Sequence, residues 1–339
     1  MTITRWKTAV VTGLLTAGLL LSTACGTTTG ESAASGNRIA FMGLAAQNTY
    51  TQSTYEAAKA VVEEEGGTLT YFDGQFKSDV QYNQMLDIAT SKRFDAVLVM
   101  ANDGASIAPA VTRAIEAGIK VIAVEFPIGP DPTNLEPQID GIVATVGYDS
   151  HAESVTHAQR IVDLCQDEDP CNVAWMMGDR TTLFDKIRWD AITATVAEHP
   201  NVRIVSSIDM HWSRTEGLAA GRTILTANSA DLHIITGPDI GLMGATDALR
   251  AAGKLGQYTL VGFGTTVDGV AQVRNGTWDS SCGVHAPADE GRLAGQMIMD
   301  ALAGEAVRPS VNMVEESKIG PVATQQTLAN DPTFTGQWN

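Results

Sequence analysis

The chain has 339 residues, of which 44% are hydrophobic and 18% charged, and it contains 32 glycines. This composition is typical of packed, turn-rich globular proteins and excludes a disordered chain, and the length predicts about two domains. Because the formal net charge is −17, the surface repels polyanions, and we exclude nucleic acid as a partner.

The first 24 residues are predicted to be a signal peptide. Two basic residues precede the apolar run 9–21, which is shorter than the roughly 20 residues that a membrane-spanning helix needs. The run ends in small residues before Cys25, a pattern that resembles a bacterial lipobox, although Ser22 stands where that pattern prefers Leu. We expect a lipidated Cys25, a flexible tether over 25–37 and an extracytoplasmic protein that is lipid-anchored to the cell membrane; ordinary secretion is the alternative.

From Arg38 onward, short apolar segments alternate with amphipathic segments of helical spacing. In the first half of the chain we predict strand 39–45, helix 54–65, strand 68–72, helix 80–90, strand 96–100, helix 107–117 and strand 121–126. The regularity then breaks around 133–142, where four prolines lie within the eleven residues 127–137.

The same alternation restarts in the second half. There we predict strand 142–148, helix 152–164, strand 172–178, helix 185–198, strand 203–208, helix 216–227, strand 231–237, helix 241–251 and strand 259–263. Apolar strands separated by helices indicate βαβ units, so the predicted fold class is α/β, with two doubly wound lobes of parallel sheet. In such sheets ligands bind beyond the carboxyl ends of the strands.

The cysteines support export. Cys165 and Cys171 flank an acidic loop, and in an oxidising compartment so close a pair can form a disulfide, which we predict. Cys282 is left unpaired, and no His/Asp arrangement is visible beside it. We interpret it as a buried small hydrophobic residue rather than as a nucleophile.

Five motifs, taken in chain order, resemble one family. They are Asn48-Thr49-Tyr50-Thr51, Ala108 to Val111 with the following Ala117 to Ile122, Trp212-Ser213-Arg214, Met243-Gly244-Ala245 with Ala251-Ala252-Gly253, and Val261-Gly262-Phe263. Over nearly all of 38–304 the chain resembles the ribose-binding-protein type of periplasmic substrate-binding protein. The resemblance implies a type I periplasmic-binding fold with a ligand cleft between two lobes.

The resemblance also implies that the lobes are interleaved in the sequence. The N-terminal lobe would comprise 38–148 and 286–306, and the C-terminal lobe 149–285 and 307–325, with a tail over 326–339. Three crossings, near Tyr148, near His285 and within 307–313, would form a three-stranded hinge that lets the lobes close around a ligand.

By position in the family pattern, eleven residues are predicted to bind the ligand. They are Asn48, Tyr50, Asn102, Asp103, Glu125, Phe126, Tyr148, Lys186, Trp212, Asp239 and His285. Five of these assignments have alternatives, and for Trp212 and Tyr50 the alternative is an aromatic of a surface loop. Asp103 is also suited to capping the following helix, Glu125 to a cap or a surface ion pair, and Arg180 competes with Lys186 as the cationic donor.

Three departures from the family pattern bear on the ligand. Phe126 stands where many sugar receptors have Arg, Pro238 where they have Asn, and Gly264 where they have Asp. Losing an Arg and an Asp removes an opposite-charge pair of hydroxyl-binding groups. We therefore expect a less polar pocket and a small neutral sugar, polyol or sugar-like metabolite.

The resemblance implies the extracytoplasmic solute-binding component of an ABC importer, a monomer whose partners are its ligand, a membrane permease and a lipid anchor. The alternative is a sensor whose closure is read by a chemoreceptor or another membrane signalling protein. A repressor of the same fold is excluded because the chain begins with an export signal. We predict no enzyme, cofactor or metal site, since the common catalytic and dinucleotide motifs are absent and His151 and His157 face apart on a helix.

Overall fold

The computed structural model describes residues 36–227 and 231–339. The predicted signal peptide, the predicted lipidation site at Cys25 and all but the end of the predicted tether lie outside the described residues. Within the described ranges, no helix combines the length and the apolar content that a membrane span requires.

The first part of the chain alternates strands and helices, as its apolar segments predict. Its elements are β1 (Arg38–Gly43), α1 (Thr49–Glu64), β2 (Thr68–Asp73), α2 (Ser78–Ser91), β3 (Ala96–Val99), α3 (Gly104–Glu116), β4 (Lys120–Glu125) and β5 (Ile142–Gly147).

The second part repeats the pattern and then returns to the first. Its elements are α4 (Ser150–Leu164), β6 (Cys171–Met177), α5 (Leu183–Ala197), β7 (Val202–Asp209), α6 (Arg214–Ala227), β8 (Ile234–Pro238), α7 (Asp239–Ala251), β9 (Thr259–Phe263), α8 (Val267–Arg274), β10 (Ser280–Cys282), α9 (Pro287–Ala303), β11 (Ser310–Asn312), α10 (Met313–Glu316), β12 (Val322–Thr324) and α11 (Gln325–Asn330).

Among the described residues the strands form two six-stranded sheets. The N-terminal lobe has the order β11-β5-β4-β3-β1-β2, and the C-terminal lobe has the order β12-β10-β9-β8-β6-β7. Every neighbouring pair is parallel except β10 and β12. Helices cover both faces, so central strands such as β3 are buried at every residue. The predicted α/β class with two doubly wound lobes is confirmed.

Three connections lead from one sheet to the other. They follow β5, β10 and β11. The segment 307–325, expected in the C-terminal lobe, contributes β11 to the N-terminal sheet and β12 to the C-terminal sheet. All three connections run past the carboxyl ends of the sheets, where the candidate residues lie.

Helix caps place several of these residues. Helix α1 begins at Thr49, five residues before its predicted start, because the Asn48 side chain accepts a hydrogen bond from the Thr51 N–H. Helix α9 packs against α1 through Gly291, where an added Cβ would lie 2.1 Å from the Thr54 carbonyl oxygen. This close approach brings the first turns of the two helices together beside the strand ends.

The cysteines are arranged as the sequence predicts. Cys165 and Cys171 form a disulfide with a Cα–Cα distance of 5.6 Å, which confirms the predicted pair. Cys282 is a free, fully buried thiol. Burial raises its pKa, so the thiol stays protonated and behaves as a small hydrophobic side chain.

Candidate functional site

The candidate site is the cleft where the carboxyl ends of the two sheets face each other. Six residues at these strand ends that are not glycine have positive φ: Gln75 (54°), Phe76 (53°), Glu125 (66°), His211 (48°), Trp212 (53°) and Thr265 (47°). The left-handed region costs such residues about 1–2 kcal/mol each. Strained backbone thus clusters at the cleft, as is typical of functional sites.

The N-terminal lobe contributes two buried carboxyl groups and a tyrosine. The Tyr50 hydroxyl donates to Glu290 Oε2 at 3.0 Å. Glu290 Oε1 and Glu125 Oε2 are buried and have no hydrogen-bond partner among the residues that the structure describes. Burial is the main cause that raises the pKa of Glu125, to about 8, and burial together with Glu125 raises the pKa of Glu290 well above its usual range. The pair therefore holds at least one proton at neutral pH and can both donate to and accept from a polar ligand.

The hinge side of the cleft is built on His285. Its Nε2 lies 3.1 Å from Glu153 Oε1, and its backbone N–H donates to Thr265 Oγ1 at 3.1 Å. The Tyr148 ring lies 4.6 Å from the imidazole, centroid to centroid, and the Tyr148 hydroxyl accepts from the Ala286 N–H at 2.8 Å. Tyr148 and His285, which follow strands of different sheets, thus meet where the chain crosses between lobes.

The C-terminal lobe contributes a cation, a carboxylate and an indole. Trp212 Nε1 donates to Asp185 Oδ2 at 2.8 Å, and Arg188 Nη1 donates to Asp185 Oδ1 at 3.2 Å. The Arg188 guanidinium carbon lies 5.6 Å from the centre of the Trp212 ring, which is a cation–π distance. These three side chains line a small cavity of about 10 Å³, whose other lining residues also belong to the C-terminal lobe.

The indole of Trp212 packs directly against the backbone of a glycine. A Cβ added at Gly178 would lie 2.1 Å from Trp212 Nε1, so a larger residue there would displace the ring. Asp185 also accepts from the Asp179 N–H at 2.6 Å, which fixes the carboxylate that orients both Trp212 and Arg188.

An aromatic pair crosses the cleft. Phe126 follows β4 of the N-terminal lobe, and Phe184 lies in the first turn of α5 of the C-terminal lobe. Their rings stack with centroids 3.4 Å apart and planes 14° apart, and both side chains are buried. This part of the cleft is apolar.

Four of the predicted ligand-binding residues are engaged within their own lobe. Asn48 caps α1, and Asp103 caps α3 by accepting from the Ser106 N–H at 2.9 Å, which is the alternative role named for it. Asn102 Nδ2 donates to the Leu44 carbonyl at 3.3 Å and ties two strand-end loops together. Asp239 accepts hydrogen bonds from Thr266 and Ser281, and burial raises its pKa to about 6.

The structure does not bring Lys186 to the cleft. Its amino group is exposed and pairs with Asp190 at 2.5 Å, one turn along α5. The rival Arg180 pairs with Asp209 at 2.6 Å. The cation that faces the cleft is Arg188, whose side chain is 8% exposed whereas that of Lys186 is 63% exposed.

Sequence reasoning missed several residues of the cleft. They are Glu153, Phe184, Asp185, Arg188, Glu290 and Trp338. Phe184, Asp185 and Arg188 share one face of α5. The helical spacing of these residues in the segment after β6 could therefore have identified them as a group. Glu290 lies in the first turn of α9, just past the predicted crossing at His285. Trp338 follows no strand, and no sequence signal identifies it.

Comparisons with known proteins agree with this architecture. A family profile described as "Periplasmic binding protein domain" matches residues 39–306. The D-apiose import binding protein of Actinobacillus succinogenes is 25% identical over 229 residues, which cover 67% of this chain and 68% of the relative. The D-ribose/D-allose-binding protein of Pseudomonas aeruginosa is 24% identical over 231 residues, which cover 67% of this chain and 70% of the relative.

Solved structures share the fold. An ABC transporter solute-binding protein from Agrobacterium vitis with bound D-fucose has a TM-score of 0.72 at 21% identity, over 87% of this chain and 98% of the other. One from Bacillus halodurans with bound myo-inositol has a TM-score of 0.72 at 20% identity, over 87% of this chain and 97% of the other. At these identities the likeness shows the fold.

Proposed function

The chain belongs to the periplasmic binding protein family, and from this premise we propose that it is the extracytoplasmic solute-binding component of an ABC importer. Its two lobes would close on a small neutral sugar, polyol or sugar-like metabolite and present it to a membrane permease. The observation that carries the proposal is the set of hydroxyl-binding groups contributed to one cleft by both lobes.

The chemistry of these groups suits hydroxyl recognition. Glu125 and Glu290 offer buried oxygens from the N-terminal lobe, and Arg188 offers guanidinium donors from the C-terminal lobe. Tyr50 and Trp212 offer aromatic faces on which the C–H face of a sugar ring can pack. In a closed site an unmatched buried polar group costs about 1–3 kcal/mol, so the arrangement selects a ligand whose hydroxyls match it.

The charges favour a neutral ligand. Four acidic side chains lie in the cleft, namely Glu125, Glu153, Asp185 and Glu290. Even with the proton that Glu125 and Glu290 hold, they outnumber Arg188, the guanidinium that faces the cleft among the described residues. An anionic ligand would meet this excess of acidic groups after losing its hydration. Two of the relatives are named for binding apiose, ribose and allose, which supports the same class.

The stacked pair of Phe126 and Phe184 favours a partly apolar ligand. These rings form the wall of the cleft where many sugar receptors have a cation. A deoxy sugar or a cyclic polyol would therefore lose fewer hydrogen bonds at this wall than a fully hydroxylated hexose. The fold neighbours solved with D-fucose and myo-inositol are compatible with this class.

A thermal-shift panel tests the proposal. The panel contains D-ribose, D-allose, D-apiose, D-fucose, xylitol and myo-inositol, with ribose 5-phosphate as the anionic control. A ligand at 100 times its Kd adds about 2.7 kcal/mol to the free energy of unfolding, which raises Tm by several degrees. We expect at least one neutral compound to raise Tm by this amount and ribose 5-phosphate to leave Tm unchanged. Stabilisation by none of the neutral compounds would contradict the proposal.

We also infer that lipidation of Cys25 anchors the protein to the outer face of the membrane. The inference rests on the sequence pattern alone, because Cys25 lies outside the described residues. Mass spectrometry of the exported protein is expected to show an N-terminal Cys25 with acyl chains, and a mature chain that begins elsewhere or carries a free thiol would contradict it.

A further inference from the structure

The last four residues of the sequence, Gly336–Asn339, run across the cleft and are called the strap here. Towards the N-terminal lobe, the strap is held at α1 and at the start of α9. Ser53 Oγ donates to the Gln337 carbonyl at 3.0 Å. The Gln337 amide group donates to Asp289 Oδ2 at 2.6 Å and accepts from the Asp289 N–H at 3.0 Å.

The strap is bonded equally to the C-terminal lobe, at the turn between β9 and α8. Trp338 Nε1 donates to the Gly264 carbonyl at 3.0 Å, and the Val267 N–H donates to the Trp338 carbonyl at 2.9 Å. The Asp268 N–H donates to Asn339 Oδ1 at 3.1 Å. Moving the two lobes apart must therefore break one of these two sets of bonds.

The indole of Trp338 enters the candidate site itself. The side chain is buried and meets Tyr50 edge to face, with centroids 5.4 Å apart and planes 81° apart. It also lies 6.4 Å from the His285 ring, with planes 28° apart. Trp338 thus contacts one aromatic from the N-terminal lobe and one from the hinge, both of them predicted ligand-binding residues.

A glycine makes room for this indole. Gly264 has a φ of 113°, which side chains rarely adopt, and a Cβ built there would lie 3.0 Å from Trp338 Cζ2. Any side chain at this strand end would compete with the indole for the same space. Gly264 and Trp338 therefore form a matched pair, in which the strap provides the side chain that the strand end lacks.

We propose that Trp338 is a ligand-retaining residue of the cleft and that the strap holds the lobes closed, so that ligand exchange requires the strap to detach. The bonds of Gln337 and Asn339 lie at the surface, where water can replace them, so the strap can leave without unfolding either lobe. The retention of ligand rests on the proposed function; the holding of the lobes does not.

The test compares three variants of the full chain: Trp338→Ala, Trp338→Phe and the control Phe334→Ala. Phe334 lies in the same C-terminal tail and packs on the core of the C-terminal lobe alone, where its carbonyl accepts from Arg274. The control therefore removes an aromatic ring from the tail without touching the cleft.

The first measurement needs no ligand. Small-angle scattering of Trp338→Ala is expected to give a larger radius of gyration than wild type, because the variant loses the indole's hydrogen bond to Gly264 and its packing on Tyr50 and the strap holds the lobes less firmly. Phe334→Ala is expected to match wild type. Hydrogen exchange at the amides of Val267, Asp268 and Asp289, which donate to the strap, is expected to quicken together in Trp338→Phe. If Trp338→Ala does not fold, hydrogen exchange in Trp338→Phe tests whether the strap holds the lobes together.

The second measurement is the dissociation rate of whichever panel compound binds wild type, followed by stopped-flow competition. We expect about tenfold faster dissociation from Trp338→Ala and a smaller increase from Trp338→Phe, the size of effect that one buried aromatic contact produces. A strap that merely obstructs the cleft would instead give faster association at an unchanged dissociation rate, which would overturn the proposal.

The outcomes separate this inference from the proposed function. If no panel compound binds wild type but Trp338→Ala expands, the sugar assignment fails and the holding of the lobes stands. If a compound binds and the Trp338 variants match wild type in radius, exchange and dissociation, the strap proposal fails and the sugar assignment stands.

Discussion

Arg188 and Lys186 are basic residues two positions apart on helix α5, but only Arg188 faces the cleft. Arg188 is buried at the cleft beside Asp185 and Trp212, whereas Lys186 extends into solvent beside Asp190. The sequence pattern pointed to Lys186, because position in a motif does not specify which way a helix is rotated. Contact with the sheet specifies it.

This difference predicts opposite results for matched substitutions. Arg188→Gln removes a charged donor from a buried site and is expected to weaken sugar binding by about 10–100-fold, since a hydrogen bond to a charged group contributes about 1.5–3 kcal/mol. Lys186→Gln is expected to bind as wild type does. Isothermal titration of both variants, with circular dichroism to confirm folding, measures the effect. Weaker binding by Lys186→Gln together with normal binding by Arg188→Gln would contradict the assignment.

Glu125 predicts a dependence of stability on pH. Burial raises its pKa from 4.5 to about 8, so the folded protein keeps a proton that the unfolded chain has lost. The stabilisation is complete below about pH 4.5 and declines as pH rises to about 8, by up to about 1.4 kcal/mol per pH unit. Glu125→Gln is expected to remove this part of the decline.

The measurement is urea unfolding of ligand-free wild type and Glu125→Gln between pH 5 and 8. The difference between the two proteins reports Glu125 together with Glu290, whose raised pKa depends in part on Glu125. His157, whose pKa is lowered to about 3 by burial, and Asp239, whose pKa is raised to about 6 by burial, titrate in both proteins. An equal pH dependence in the two proteins would show that Glu125 does not keep its proton in the folded state.

At the scale of elements, the packing of α1 against α9 positions the N-terminal half of the cleft. Tyr50 and Glu290 lie in the first turns of these helices, and their hydrogen bond joins them. The close approach depends on Gly291, because an added Cβ would clash with the Thr54 carbonyl oxygen.

Gly291→Ala is therefore expected to push the helices apart and to lower the free energy of unfolding by about 1–3 kcal/mol, as overpacking does. Arg292→Ala, one residue further on and exposed, is the control and is expected to change stability by less than about 0.5 kcal/mol. Urea unfolding measures both. Equal stability of Gly291→Ala and wild type would show that the helices do not need this contact.

The sequence predicted the elements better than their ends. Apolar runs such as Ala96–Val99 are buried strands, because a parallel sheet covered on both faces needs apolar residues throughout. Helix α1 begins earlier than its apolar spacing indicates, since its start depends on the Asn48 cap. Strand β11 is only three residues long and has no apolar run of its own, so its place in the N-terminal sheet follows from tertiary contact.

The residues of the candidate site also fall into those that the sequence predicts and those that depend on tertiary packing. Position in the family pattern predicted Tyr50, Glu125, Phe126, Trp212 and His285, and all five lie at or just after strand ends, where ligands of such sheets bind. Residues that reach the cleft from a helix face, such as Arg188, or from the tail, such as Trp338, could not be predicted in this way. Their positions depend on how distant parts of the chain pack.

For the molecule as a whole, the two sheets are joined by three connections and by the strap, and the cleft lies among all four. Phe126 and Phe184 meet across it, and Glu153 and His285 join the start of α4 to the crossing before α9. These few contacts separate more easily than a lobe unfolds. Rigid-body opening and reclosure around the three connections, with the strap detached, is accordingly the motion that we expect during ligand exchange.

The central claim is that both lobes bind one neutral sugar or polyol in this cleft, and a crystal structure with the best compound of the panel tests it most directly. The account predicts ligand hydroxyls within hydrogen-bond distance of Glu125 or Glu290 from the N-terminal lobe and of Arg188 from the C-terminal lobe. A ligand that is bound outside the cleft, or that contacts one lobe alone, would contradict it.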